Sequence, residues 1–271
     1  MNAVTLGPLA FATDRLAAIL GITVFLAVGV LLARRHDGRL GPWTTTAVLA
    51  GLIAARAVHV LVHIESFLEE PWRVFFVWQG GFSWGGAMIG VAITLAFLAR
   101  DSRRSLPLAA ASLVSGVFVW FVLGTLWQVA EGPAAPRFAL GTVDGTQMIS
   151  LADRNGRPAV VNLWATWCPP CRREMPLLAE TALARKDVDF LFANQGEGPT
   201  KIRAYLKDEN LEIENVLIDP MRSLSNHYGA PGMPVTLFLR PDGTVATTHF
   251  GEISREALNA AIAVMMQTTW D

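Results

Sequence analysis

The sequence predicts a chain of two parts: an all-α domain of four membrane-spanning helices, then an α/β domain on a central sheet. Three observations predict it. Four apolar stretches of spanning length fill the first half. Strand-like and helix-like runs alternate through the second half. Between one strand-like run and the helix-like run after it stands Trp167-Cys168-Pro169-Pro170-Cys171, which holds both cysteines of the 271-residue chain.

A bilayer core takes about 20 apolar residues to cross. The stretches lie at 16–33, 44–63, 82–99 and 106–129. Buried helices of a soluble protein keep a polar face, and these hardly do. They account for the 52% hydrophobic content, while a net charge of -1 gives no reason to expect nucleic-acid binding. Arginine placement sets the predicted topology. One loop carries Arg34, Arg35 and Arg39, and another Arg100, Arg103 and Arg104; the loop between the second and third spans has Arg73 against Glu65, Glu69 and Glu70. The positive-inside rule puts the two arginine-rich loops in the cytoplasm and both termini outside it. The N-terminus lacks a basic n-region and an A-x-A-type cleavage site, so the first span reads as retained. The expected domains are 1–130 in the membrane, a short Pro/Ala linker at 131–137 that holds the next domain close to the surface, and 138–271 in the periplasm.

After the linker the elements follow in order. Residues 158–165 read as a buried strand and 170–184 as a helix kinked at Pro176. A strand at 188–193, a helix at 200–210 and a short strand at 216–218 come next. Strands at 234–239 and 244–250 are joined by Pro241-Asp242-Gly243, a hairpin signal. A last helix spans 254–266, with Ser254 as its cap. This order, with a C-x-x-C between the first strand and helix, is that of a thioredoxin-like fold.

The chemistry follows from position. Cys168 falls at a helix N-terminus, where free N–H groups and the macrodipole favour a thiolate. It is the expected nucleophile on a substrate disulfide. Cys171, one turn in and more buried, is expected to resolve the mixed disulfide. The other readings of the pair are a structural disulfide and half a zinc site. The zinc reading needs two more ligands, and no second C-x-x-C or H-x₃-H lies nearby, so no metal is expected. Gly232-Met233-Pro234-Val235-Thr236 places a proline at the start of a strand, where a cis peptide belongs. In this fold that loop packs on the C-x-x-C and offers backbone to an extended substrate. Trp167, Pro169, Pro170 and Met233 are the candidate substrate contacts. Glu174 could shift the cysteines or pass protons; its alternative is dipole compensation on a surface turn. Asn162 lies beneath the disulfide, and an amide there cannot accept the Cys171 proton. That role moves to Glu174 or to water. Arg172 and Arg173 add positive charge, and most such residues are simply solvated.

The run Val161-Asn162-Leu163-Trp164-Ala165-Thr166-Trp167-Cys168-Pro169-Pro170-Cys171-Arg172-Arg173-Glu174-Met175-Pro176, with Gly232-Met233-Pro234-Val235-Thr236, resembles the membrane-tethered TlpA/ResA-type thioredoxin-like reductases over about 137–267. The resemblance implies Cys168 as nucleophile, Cys171 as resolving thiol, Glu174 as the active-site acid and Pro234 as the cis-proline. It implies no cofactor beyond the cysteine pair. It also implies service in cytochrome c maturation, metal-site assembly or thiol maintenance outside the cytoplasm.

Over roughly 6–100, Arg56, Trp78-Gln79-Gly80-Gly81-Phe82-Ser83-Trp84 and Met88-Ile89-Gly90 resemble prolipoprotein diacylglyceryl transferases. Gly85 stands where that family has an essential His, and the family's later catalytic segment has no counterpart. This half therefore reads as a scaffold without transferase activity. It carries no cysteine, so electrons must come from a separate membrane donor of the DsbD/CcdA type. Arg56, His59 and His63 are its candidate residues. Arg56 could bind a phospholipid phosphate or pair with Glu65 or another loop acid. His59 and His63, four apart on one face, cannot be opposite axial ligands of one haem and read as interfacial packing. The segment 67–78, with Phe67, Trp72, Phe75, Phe76 and Trp78, reads as interfacial or re-entrant on the outer face. Met88 and Gly90 read as helix packing.

The sequence thus predicts a multi-pass protein of a bacterial inner membrane. Its periplasmic domain is expected to reduce the disulfides of protein substrates. An oxidase that delivers disulfides is the alternative in the same class. A lipid- or lipoprotein-binding membrane module with an accessory redox domain is the alternative from another class.

Overall fold

A computed structural model describes residues 3–6, 9–128, 133–153 and 156–267. Residues 131 and 132 of the expected linker lie outside the described residues. The chain divides into two compact units, one of Phe11–Val129 and one of Met1–Ala10 with Ala130–Asp271. A short hairpin, β1 (Ala3–Leu6) and β2 (Leu9–Ala12), comes first in the chain.

The first unit is built on four long helices. They are α1 (Thr13–Arg35), α2 (Leu40–Val62), α4 (Trp84–Asp101) and α5 (Leu106–Gln128). All four are long and apolar enough to cross a membrane. The second begins at Leu40, before the expected start, because Gly41-Pro42 falls in its first turn, where a missing N–H costs nothing. Helix α1 packs on α5, and α2 on α4. Hydrocarbon gives apolar helices no reason to associate by solvent exclusion, so close backbone contact must hold them. Gly86 and Gly90 provide it. A Cβ at either would lie 2.4 Å from a carbonyl oxygen of α2, that of Ala54 or of Ala50.

The ends of the bundle are tied by polar groups. At one end both arginine-rich loops meet: Arg39 Nη1 donates to the Asp101 carbonyl at 2.7 Å, and the Ser105 hydroxyl donates to Asp37. At the other end lie α3 (Ile64–Glu69) and two 3-10 turns, Pro71–Phe75 and Val77–Gln79. Arg15, which the loop count passes over, also belongs here and donates to the Trp78 carbonyl at 3.4 Å. The aromatic segment keeps its apolar groups outward, with Trp72, Phe75 and Trp78 all more than half exposed. This suits an interfacial element better than a soluble surface.

The second unit holds a five-stranded sheet in the order β7-β6-β5-β8-β9. The strands are β5 (Ala159–Trp164), β6 (Asp189–Gln195), β7 (Val216–Asp219), β8 (Val235–Leu239) and β9 (Val245–Phe250). Strands β5, β6 and β7 run parallel, and β8 and β9 run antiparallel to their neighbours. Period-2 alternation sorts β5 between two cores. Val160 and Trp164 join the cluster under α6 (Pro169–Ala184) and α9 (Arg255–Gln267), with Met175, Leu178, Phe192 and Ile262. Ala159, Val161 and Leu163 join the opposite cluster with Leu191, Leu217, Tyr228 and Leu237. Asn162, between Val160 and Trp164 in this alternation, therefore faces α6.

Helix α6 runs through Pro176 without a break. Helix α7 (Pro199–Asp208) follows β6. Three small elements add to the expected order: β3 (Ala139–Gly141), β4 (Met148–Ser150) and α8 (Ser223–His227). The β3–β4 hairpin covers the edge of β7, where Val143 N donates to the Val216 carbonyl at 2.7 Å.

Candidate active site

The C-terminal end of β5 and the N-terminal end of β8 meet at one rim of the sheet, where Leu163 pairs with Val235. The turn 165–168 leaves β5 here and feeds α6. Cys168 caps the helix, and its Sγ accepts the Cys171 N–H at 3.3 Å. Proline at the first two helical positions suits this start, because neither missing N–H would have had a helical partner. Cys168 and Cys171 are joined as a disulfide with S–S 2.03 Å. Cys171 is 0% exposed and Cys168 3%. Trp167 beside them is 61% exposed, which gives the rim an apolar surface. Pro169 is exposed, while Pro170 and Met233 are half-buried. The Met233–Pro234 peptide is cis, at the head of β8. The structure therefore brings Trp167, Cys168, Cys171, Met233 and Pro234 to one rim.

Glu174 lies one helical turn past Cys171 on the same face. It is only 2% exposed, so its reading as a surface residue that compensates the dipole does not hold. Its Oε1 accepts from Asn162 Nδ2 at 2.8 Å, and its Oε2 from the Ile253 N–H at 2.9 Å. Asn162 Nδ2 also donates to Thr236 Oγ1 at 3.1 Å. Burial pushes the Glu174 carboxyl from 4.5 up to about 8; the Ile253 N–H and Asn162 oppose this, the Glu252 charge adds to it, and Arg173 counters it. An ordinary thiol titrates near 8.5, so a carboxyl held near 8 is close to one in proton affinity.

This carboxyl makes stability pH-dependent. The folded state holds the Glu174 proton more tightly than the unfolded chain does. Its contribution is therefore full below about pH 4.5 and is lost as pH rises through about 8. The expected loss is a few kcal/mol, because each tenfold change in proton affinity is worth roughly 1.4 kcal/mol. Hydrogen exchange of the β5 amides in the oxidised full chain should report it, and Glu174→Gln should flatten the dependence.

Three features of the site escape sequence reasoning. Arg173 is not simply solvated: its Nε and Nη2 donate to Glu252 Oε2 at 2.8 and 2.5 Å, and Glu252 is buried. Arg172 pairs with Glu209 and lies over the Tyr205 ring at 5.5 Å. Glu197, after β6, is 6% exposed and accepts from both the N–H and the hydroxyl of Thr166, each at 2.7 Å. Asn194 Nδ2 donates to it at 2.9 Å and Lys201 Nζ at 2.6 Å. Burial alone would push the Glu197 carboxyl up, but Lys201 and these donors hold it below the usual carboxylate range. The signal in sequence is slight: Asn194-Gln195 places two polar residues at the end of an otherwise apolar strand.

The membrane candidates form a separate cluster within the first unit. Arg56 Nε donates to the Val74 carbonyl at 3.0 Å, and Nη2 to that of Arg73 at 2.7 Å. Its Nη1 donates to the carbonyls of Gly80 and Gly81 at 2.8 and 3.1 Å. Arg56 thus holds the connection between α2 and α4 in place, with its guanidinium 5.4 Å from the Phe67 ring centre. Gly81 has φ +78°, and a Cβ there would lie 2.6 Å from His59 Nε2. The His59 and His63 rings lie 4.7 Å apart, and His59 meets Phe67 edge-on at 6.1 Å. Both rings are thus in contact with other rings of this cluster. A Cβ built at Gly85 would make one ordinary contact, with Ser83 Oγ at 3.7 Å.

Comparison with known proteins gives two family matches. Residues 130–263 match the redoxin family, and residues 2–125 match prolipoprotein diacylglyceryl transferase. The Thiol-disulfide oxidoreductase ResA of Bacillus subtilis (strain 168) is 28% identical over 133 residues, covering 48% of this chain and 73% of that protein. The Thioredoxin-like protein YneN of the same organism is 32% identical over 136 residues, covering 48% and 77%. The Thiol:disulfide interchange protein DsbE of Pseudomonas fluorescens biotype C is 30% identical over 175 residues, covering 62% and 97%.

Proposed function

Because this chain belongs to the redoxin family of thiol-disulfide oxidoreductases, we propose that it is a membrane-anchored reductase of protein disulfides, acting outside the cytoplasm. The observation that carries the reading is the Cys168–Cys171 disulfide at the head of α6, with the buried Glu174 carboxyl one turn behind it.

The working form is the dithiol. Cys168 thiolate attacks one sulfur of the substrate disulfide. A Cys168–substrate S–S bond forms, the substrate S–S bond breaks, and its other sulfur leaves as thiolate. Cys171 then gives its proton to Glu174, and its thiolate attacks Cys168 Sγ. The Cys168–Cys171 bond forms and the second substrate thiolate leaves. The substrate gains two electrons, this chain loses two, and Glu174 keeps the proton until the pair is reduced again. Then it can protonate the departing Cys171 thiolate. Trp167 and Met233 supply apolar contact, and the backbone at Pro234 supplies hydrogen bonds to an extended segment.

Direction and place rest on the sequence. Both cysteines lie after the last span, so a separate membrane donor of the DsbD/CcdA type must reduce them. The two arginine-rich loops support a bundle with that end in the cytoplasm of a bacterial inner membrane, and the redox domain in the periplasm. We assign the membrane half to anchoring rather than diacylglyceryl transfer. The use of Arg56 on loop carbonyls supports a positioning role for it over phospholipid binding.

The redox state in cells tests the reading. Growing cells are quenched in acid, and free thiols are tagged with a large maleimide. A reductase is recovered with both cysteines tagged, and becomes untagged when the membrane donor is removed. Recovery as the disulfide in wild-type cells contradicts the reading and favours an oxidase.

A further inference from the structure

Residues 173 and 174 of α6 both grip the dipeptide Glu252-Ile253. Arg173 holds the Glu252 side chain through Nε and Nη2, at 2.8 and 2.5 Å. Glu174 takes the Ile253 N–H at 2.9 Å. The two contacts fix a second carboxylate close to the active-site acid, on a segment it is bonded to. Glu252 is 7% exposed, so water does little to screen its charge, while the Arg173 side chain is 49% exposed. Arg173 is thus a neutralising partner that reaches in from solvent.

We propose that Arg173 and Glu252 are positioning residues that set how tightly Glu174 holds its proton, and so the pH at which Cys171 can be deprotonated for resolution. The inference rests on the role given to Glu174 above. Among the described residues, four elements and one connection supply the groups around the acid. Helix α6 contributes Cys171 and Arg173, β5 contributes Asn162, and β8 contributes Thr236. Strand β9 contributes His249, the cross-strand partner of Thr236, whose Nε2 lies 3.3 Å from the Glu252 carbonyl. The connection to α9 contributes Glu252 and the Ile253 N–H.

Two carboxylates in a poorly hydrated site repel, so the charge on Glu252 makes Glu174 harder to ionise. Arg173 offsets that charge. Both effects act on Glu174 with these signs. Removing either partner must therefore move Glu174 in opposite directions. A pair that merely held α6 against the sheet would show lost stability with no such opposition of sign.

The test is single-turnover release of thiol from a disulfide-bonded model peptide by the reduced full chain in detergent micelles, followed across pH. The limb that belongs to Glu174 is the one abolished in Glu174→Gln. In Glu252→Gln that limb is expected to move down by about one pH unit, and in Arg173→Gln to move up by a similar amount. Arg173→Lys keeps the charge and should leave the limb near its wild-type position, which decides the matter if Glu252→Gln folds poorly. The inference is overturned if Glu252→Gln and Arg173→Gln move the limb in the same direction, or if neither moves it while Glu174→Gln removes it. A limb that survives in Glu174→Gln overturns the role of Glu174 itself, and this inference with it.

Discussion

With Cys171 replaced by Ala, the full chain is expected to stop turning over and to accumulate as a mixed disulfide between Cys168 and its protein substrate. Cys168 keeps its place at the head of α6, so the first exchange still occurs. What is lost is the intramolecular attack, for which Cys171 is held 5.3 Å from Cys168, Cα to Cα. Well-oriented intramolecular groups reach effective concentrations of about 10⁵ M or more, far above any free thiol outside the cell. Turnover should therefore fall by at least roughly a thousandfold. Non-reducing electrophoresis should show a band heavier than the chain alone that collapses on reduction. The double change Cys168→Ser with Cys171→Ala should show no such band. A single Cys171→Ala variant that still turns over at the wild-type rate would remove Cys171 from the mechanism.

The second large effect concerns Glu197, which touches neither cysteine. Each of its oxygens takes two donors: Thr166 Oγ1 and Lys201 on Oε1, the Thr166 N–H and Asn194 on Oε2. Thr166 stands two residues before Cys168, in the turn closed by the Cys168 N–H on the Ala165 carbonyl at 3.2 Å. Glu197→Ala leaves the Thr166 N–H and the Asn194 amide buried without a partner. Each such donor costs about 1–3 kcal/mol, so a loss of about 2–6 kcal/mol is expected. Glu197→Gln keeps one acceptor oxygen, and Lys201 can swing into solvent, so its loss should be about half as large. Hydrogen exchange at residues 165–168 should speed up more than exchange in β8. Because the Glu197 carboxyl is held low in the folded state, its contribution is present at neutral pH and lost as pH falls through its folded value. Equal exchange in the Ala variant and the wild type would mean that Thr166 does not depend on Glu197.

Much of this site is legible in sequence, for physical reasons. The strand into the site, β5, is apolar except for Asn162, and a C-x-x-C shortly after it fixes the start of a helix. The four long helices follow from apolar length alone, and Gly86 and Gly90 mark where two of them touch. What escapes is whatever depends on long-range contact. Strands β3 and β4 are three residues each, too short for alternation to register. Arg173 looks like any exposed arginine until β9 and α9 bring Glu252, 79 residues later, under it. Glu174 can be placed on the right helix from sequence, but its burial depends on how α6 lies across β5 and β8. Arg56 invites a phosphate because nothing local shows that the carbonyls at 73, 74, 80 and 81 turn toward it. In each case the missing term is a partner distant in sequence.

The central claim is that Cys168 and Cys171 form a reducing pair, and its most direct test is the reduction potential of the full chain. The chain has no other cysteine, so equilibration with dithiothreitol or glutathione buffers reports this pair alone. Thioredoxin lies at about -270 mV and DsbA at about -120 mV. The account predicts a value near the thioredoxin end. A value near that of DsbA would contradict it, and would make the chain a donor of disulfides.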